Sequence, residues 1–145
     1  MLFNPSRREA RQFFYDSWRK YEAHEPITPL EQIAVALIGA HPEYHALLRD
    51  RERWLEHDWR PEHGETNPFL HLSLHLAIEE QLSIDQPPGI RARFTRAQKQ
   101  LGENHAAQHA LLEALGEMIW QAQRHACAPD PNVYFDILDQ RFPDV

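Results

Sequence analysis

The residues of this sequence best suited to chemistry are histidines that recur four positions apart. Three such pairs are present, at 41 and 45, at 71 and 75, and at 105 and 109. Placing the ten histidines of the 145-residue chain at random would give only about 0.6 pairs at this spacing. In an α-helix, a spacing of four puts both imidazole rings on one face, where they can bind a shared metal ion.

Two of these pairs continue into a carboxylate one helical turn later. Glu79 follows His75, and Glu113 follows His109. In the segment 67–83, His71, His75 and Glu79 form one row on an otherwise apolar helix face. A buried row of groups with lone pairs is costly unless something satisfies it, and a metal ion satisfies all three. The sequence therefore predicts a metal site, and its candidate ligands are His71, His75, Glu79, His45, His109, His41 and Glu113.

These candidates are not equivalent. His41 precedes Pro42 and also has the character of a residue that ends a helix, whereas His105 falls in the first turn of its predicted helix. His45 and His109 are therefore the favoured members of their pairs. Glu113 lies further toward the polar side of its helix than Glu79 does and is the weaker carboxylate candidate.

The kind of metal depends on how many ligands meet. Imidazole and carboxylate without thiolate suit zinc, iron, manganese or nickel. Three imidazoles with an open fourth position describe a single zinc-like ion that polarises water, whereas five or more His and carboxylate ligands could hold a pair of irons. Because the register favours Glu79 over Glu113, we expect one ion, zinc or iron. No motif identifies a reaction, a nucleotide or an organic cofactor, and the sequence leaves open whether the protein is an enzyme.

A metal-free alternative stays open beside this prediction. Histidines on apolar helix faces are commonly hydrogen-bonded core residues. The chain would then be an interaction or structural protein, with the basic segment 91–99 or the segment 51–66 as its contact surface. Its protein partners and oligomeric state are not indicated by the sequence.

Composition excludes several other classes of protein. Cys127 is the only cysteine, which excludes an internal disulfide framework and thiolate-rich zinc or iron–sulfur sites. The formal charge of −7 argues against nucleic acid as the main partner. No apolar run approaches the roughly 18 residues that cross a bilayer, and the N-terminus lacks the apolar stretch of a signal peptide. We therefore expect a cytoplasmic protein with no membrane partner.

Capping residues and periodicity predict the helices that position the candidate ligands. Asn4-Pro5-Ser6, Thr28-Pro29-Leu30-Glu31, Asn67-Pro68 and Asp130-Pro131 are typical helix starts, and the second of them is a capping box. Pro42 should interrupt the second helix, because it cannot donate a helical hydrogen bond. The predicted helices are 4–23, 28–40 with its short continuation at 42–50, 67–83, 88–101, 105–126 and a short last helix after Asp130.

The segment 51–66 shows no clean period and contains Pro61 and Gly64, so we predict one long loop there. Trp54 and Trp59 could anchor it to the body of the protein. A chain of 145 residues suits one domain with one core. The predicted fold class is all-α, a single-domain helical bundle over 1–145 with five to six helices and this one long loop.

Three stretches resemble domain-of-unknown-function family 1841, a family of small bacterial proteins, and the resemblance covers nearly the whole chain. They are Asn-Pro-Phe-Leu-His-Leu-Ser-Leu-His-Leu-Ala-Ile at 67–78, His-Pro-Glu-Tyr-His at 41–45 and Asp-Gln-Pro-Pro-Gly-Ile at 85–90. This resemblance implies no activity. The repeated His-x-x-x-His and His-x-x-x-Glu patterns are also similar to hemerythrin-like di-iron bundles and to DinB-like bundles, whose metal is held by three histidines. The hemerythrin ligand order does not map onto this chain, so the second resemblance implies only His and carboxylate ligands on bundle helices.

Overall fold

The computed structural model describes residues 7–60 and 66–144, and every regular element in them is helical. The α-helices are α1 Arg7–Glu22, α2 Pro29–Gly39, α3 His45–Leu48, α4 Arg51–Trp54, α5 Pro68–Ile84, α6 Ile90–Leu101, α7 Asn104–Arg124 and α8 Pro131–Arg141, with a 3-10 turn at Pro42–Tyr44. The all-α prediction is confirmed. The predicted count of five to six is wrong, since eight α-helices lie within the described residues. None of these helices is both long and apolar enough to cross a membrane.

The chain divides into two compact units, Met1–Leu76 and Ala77–Val145. Helix α5 contributes 68–76 to the first unit and 77–84 to the second. The single-domain organisation of the chain stays a prediction.

The first unit is built on α1, which packs against α2 and α3. The aromatic residues of α1 supply much of its core, as their helical spacing predicts, although Tyr21 is half exposed and stacks on Trp18 from the outside. Burying each large apolar side chain contributes about 1.5–3 kcal/mol before entropy is counted. The core residues are Phe14, Tyr15, Trp18, Ala34, Leu37, Ile38, Leu48, Leu55, Phe69, Leu72 and Leu76.

Local capping explains where α2 and α5 begin. Thr28 Oγ1 accepts from the backbone N–H of Glu31, and the Glu31 carboxylate accepts from the N–H of Thr28, so the predicted capping box is confirmed. Hydrogen bonds from the Thr28 N–H and from Lys20 hold the pKa of Glu31 below its ordinary value. Asn67 Oδ1 accepts from the backbone N–H groups of Phe69 and Leu70, and Pro68 occupies the first turn, where no N–H is needed. The start predicted at 4–6 lies outside the described residues.

The segment 51–66 differs from its prediction. Its first four residues form α4 Arg51–Trp54, and Arg11 Nη1 donates to the carbonyls of Leu55 and His57 just beyond that helix. The sequence did not predict this helix, because one helical turn is too short to produce a periodic pattern. It did not predict the contact either, because Arg11 is distant in sequence. The remainder has no helix up to residue 60, while 61–65 lie outside the described residues. Trp59 stacks on Trp54 and contacts Phe69 edge-on, as the predicted anchoring requires.

The second unit is formed by α6, α7 and α8, which pack pairwise with one another. Alanines in α7, among them Ala107, Ala110 and Ala114, are buried, and their small side chains allow close helix packing. Helix α7 begins one residue earlier than predicted, because Glu103 rather than Asn104 accepts from the N–H of Ala106. The basic run of α6 is used inside this unit, since Arg93 and Arg96 both donate to Asp139 of α8.

Candidate metal centre

Three of the predicted ligands meet in the first unit. Nε2 of His71 lies 3.1 Å from Nε2 of His41 and 3.2 Å from Nε2 of His75. His41 is 4% exposed and His75 is fully buried. The centre is therefore a largely buried cluster in which three ring nitrogens point toward one another.

Two local features position these rings. His71 and His75 lie one turn apart on α5, whose start is fixed by Asn67 and Pro68, so their side chains project from one face. His41 follows α2 and precedes Pro42, which excludes it from the helical region. Its backbone angles are φ −126° and ψ 68°, and the chain turns there.

The hydrogen bond of His41 to α2 fixes which of its nitrogens carries a proton. Nδ1 of His41 lies 2.8 Å from the carbonyl oxygen of Leu37, and a carbonyl only accepts. Nδ1 is therefore the donor, and Nε2 of the neutral ring presents a lone pair to His71. Metal-binding histidines typically donate their second nitrogen to a carbonyl or carboxylate in this way.

The distances between the nitrogens match the edges of a metal coordination polyhedron. Nitrogen ligands at about 2.0–2.1 Å from an ion are about 2.9 Å apart when they subtend a right angle and about 3.3 Å apart in a tetrahedron. The observed 3.1 and 3.2 Å fall between these values. Each of these two contacts is therefore short enough for its pair of nitrogens to bind one ion.

An aromatic ring covers part of the cluster. Tyr44 stacks on His41 with ring centroids 5.4 Å apart and planes nearly parallel, and it meets His71 edge-on at 6.1 Å. Burial raises the pKa of Tyr44 above its ordinary value, so it stays a neutral phenol at physiological pH. Leu72 and Leu76 of α5 are buried next to the cluster in sequence. Because His41 and His75 are themselves buried, an electrostatic interaction with an ion is stronger here than in water.

His45 has a different role from the one its spacing indicates. Its Nε2 lies 2.9 Å from the carbonyl oxygen of Ile38, and its ring packs on Trp18 at 4.6 Å. It therefore caps the C-terminal end of α2. The sequence favoured His45 over His41, whereas His41 is the member of this pair that joins the cluster. The reason is Pro42: residues 41 and 45 do not lie on one continuous α-helix, so a spacing of four does not put them on one face.

The two candidate carboxylates bind other side chains. Glu79 Oε1 accepts from Gln108 of α7 within the second unit. The side chain of Glu113 is 71% exposed and pairs with Arg141 at 3.2 Å. Both partners are far away in sequence, which is why the helical register alone could not reveal them.

Among the described residues of the first unit, the group that could hold a metal ion consists of His41, His71 and His75. His109 is half-buried on α7 in the second unit, where its ring lies 4.2 Å from that of His105. His105 itself is not in this group. The group contains imidazole nitrogens alone, without a carboxylate or a thiolate.

Comparison with known proteins gives a family and no activity. A family model described as "Domain of unknown function (DUF1841)" matches residues 6–140, a range that contains all the candidate ligands. Neither the curated proteins nor the solved structures include a match to this chain. The match to the family model spans nearly the whole chain and agrees with the resemblance of its His-containing stretches. The chain belongs to the DUF1841 family.

Proposed function

We propose that this chain is a helical metal-binding protein that holds one transition-metal ion through His41, His71 and His75. The observation that carries the proposal is the pair of Nε2 to Nε2 distances, 3.1 and 3.2 Å, that centre on His71. His41 contributes a lone pair to this point, because its proton is held on Nδ1 by Leu37.

Hydrogen bonding alone accounts less well for the same geometry. If all three rings are neutral, Nε2 of His41 carries no proton, because the proton is on Nδ1. Nε2 of His71 must therefore donate the hydrogen bond to Nε2 of His41. The single proton on His71 would then serve the contact with His75 as well, and a shared proton gives two bent, weak hydrogen bonds. An ion instead binds all three lone pairs. A metal-free hydrogen-bonded cluster is nevertheless the competing account, and the experiment below separates the two.

The ligand set supports one ion rather than a pair. Paired irons in helical bundles are held by several glutamates in addition to histidines, whereas Glu79 and Glu113 are engaged by Gln108 and Arg141. Nitrogen ligands alone suit zinc, and they also suit ferrous iron, nickel and copper.

The number of imidazoles decides the chemistry available to the ion. Three leave a fourth position open for water, which zinc would activate toward hydrolysis. Four close the coordination sphere, and the ion would then stabilise the fold.

Elemental analysis of protein prepared without a histidine tag tests the proposal. We expect about one equivalent of zinc or iron per chain in the wild type and in the control His125→Ala, which changes an exposed histidine. His71→Ala should lose the metal, because it removes the central nitrogen. Metal-free wild type that also fails to take up either ion on reconstitution would refute the proposal.

Anaerobic reconstitution with ferrous iron followed by oxygen distinguishes one ion from two. We expect no more than one iron per chain and no oxo-bridge absorption band. Two irons with such a band would replace the single-ion site by a paired one.

A further inference from the structure

A second site is indicated by a buried arginine in the first unit. Arg11 of α1 is 1% exposed. Its Nη1 donates to the carbonyl oxygens of Leu55 and His57 at 2.9 and 2.8 Å. Its guanidinium carbon lies 4.9 Å from the ring centroid of Trp59 and 5.2 Å from that of Phe69. The charge is therefore oriented by carbonyls and aromatic rings rather than by a carboxylate.

The neighbouring arginines are each neutralised, and Arg11 is not. Arg7 pairs with Asp58 at 2.8 Å, and Arg8 pairs with Glu56 at 2.7 Å. Arg11 has no ion pair among the described residues, and its buried Nη2 has no acceptor there. Burying a charge without a counter-charge is costly, and an anion bound from solution would remove that cost.

Arg11 is among the residues that line a small pocket of about 160 Å³, and we call it the Arg11 pocket. At about 30 Å³ per water molecule in the liquid, it has room for about five non-hydrogen atoms. The pocket lies at the start of α5, where the helix dipole presents positive charge. Nη2 diverges from Nη1, which faces the carbonyls of Leu55 and His57. The lining residues are Arg7, Ala10, Arg11, Asn67, Phe69, Leu70 and Ser73.

We propose that the Arg11 pocket binds a small oxyanion, of the size of inorganic phosphate or a carboxylate group. Nη2 of Arg11 provides charged N–H donors, and the Ser73 hydroxyl provides a neutral one. Arg7 also lines the pocket, although it is paired with Asp58. Paired guanidinium donors suit the planar edge of a carboxylate or two oxygens of a phosphate. In an acidic protein of formal charge −7, this is a local basic site.

The site is separate from the histidine cluster although both use α5. At 100° per residue, Leu70 and Ser73 project more than a quarter turn away from the row of His71 and His75. The oxyanion proposal therefore does not depend on metal binding, and chelator-treated protein should bind the anion as well as untreated protein does.

Calorimetric titration with inorganic phosphate and, separately, with acetate tests the proposal, with sodium chloride keeping the ionic strength constant. We expect saturable binding of at least one of these anions. Arg7→Gln should weaken that binding by about tenfold or more, because it removes a positive charge from the lining of the pocket and leaves the Asp58 carboxylate unpaired. Binding of phosphate alone assigns a phosphate site, and binding of both assigns a carboxylate-compatible one. If neither phosphate nor acetate shows saturable binding beyond that of chloride, the proposal is refuted.

A substitution that supplies its own carboxylate gives an independent test that does not require altering Arg11. Ser73→Asp should place a negative charge in the Arg11 pocket and so raise the melting temperature in anion-free buffer. Adding the anion should then no longer change the melting temperature of this variant. Ser83→Asp is the matched control, because Ser83 is exposed at the other end of the same helix. It should retain the anion response. A response retained in Ser73→Asp would refute the site.

Discussion

Zinc should stabilise the folded chain, and a matched pair of histidine substitutions can locate the origin of that effect. His41 and His45 are close in sequence, and each has a ring nitrogen bonded to a carbonyl of α2, at 2.8 Å to Leu37 and 2.9 Å to Ile38. Only His41 also places its second nitrogen next to His71. His41→Ala and His45→Ala therefore remove similar hydrogen bonds at the end of α2. Only His41→Ala also removes a proposed metal ligand.

The magnitude follows from linkage. At a free zinc concentration of about 100 times the dissociation constant, binding to the folded state alone adds about 2.7 kcal/mol. For a chain of this size, that corresponds to a rise in melting temperature of roughly 5–10 °C. Without zinc, each substitution should cost about 0.5–1.5 kcal/mol for its lost hydrogen bond.

Thermal unfolding of tag-free protein in zinc-buffered and in chelating solutions measures these changes. Wild type and His45→Ala should both show the rise, whereas His41→Ala should lose most of it. A rise of equal size in both variants would refute the assignment of His41, and the absence of a rise in wild type would remove the linkage between metal and folding.

Three further predictions concern the scaffold. Thr28→Ala should destabilise the chain by about 1 kcal/mol, because it breaks the capping box of α2. The control Thr95→Ala, on an exposed face, should not destabilise it, and equal urea midpoints for the two variants would contradict this prediction. Hydrogen bonds from Arg93 lower the pKa of Asp139, so its contribution to stability is present above the unfolded value of about 3.9 and is lost as pH falls through the lower folded value. Asp139→Asn should therefore be less stable than wild type at pH 7, and the difference in the free energy of unfolding should shrink as the pH falls below about 4. If urea unfolding shows a difference that does not depend on pH, this ion pair is not its cause. Finally, if the chain is one domain, fluorescence of Trp120→Phe and far-ultraviolet circular dichroism should report one coincident unfolding transition, and two separated transitions would show that the units unfold independently.

Local signals carried most of what could be predicted about the fold. Thr28, Asn67 and Asp130 cap the helices that follow them, because a capping side chain binds backbone only two or three residues away. Helix α4 could not be found in this way. It is a single turn, and the contact of Arg11 with the carbonyl beyond it comes from another part of the chain.

The candidate site was predictable only where its residues share one helix. His71 and His75 lie on α5, so their spacing indicated their proximity correctly. The choice between His41 and His45 depended on the break in the helix at Pro42. Pro42 is visible in the sequence, but a spacing of four indicates a shared face only on a continuous helix. The partners of Glu79 and Glu113 depended on tertiary packing, which no local pattern encodes.

X-ray absorption at the metal edge of the tag-free, metal-loaded protein tests the central claim most directly. We predict a first shell of about four nitrogen or oxygen atoms at about 2.0–2.1 Å, with the outer-shell scattering of at least three imidazoles and no sulfur. His75→Ala should lose one imidazole contribution or the metal itself. A shell dominated by oxygen, or one with fewer than three imidazoles in the wild type, would contradict the assignment of His41, His71 and His75 as the ligands.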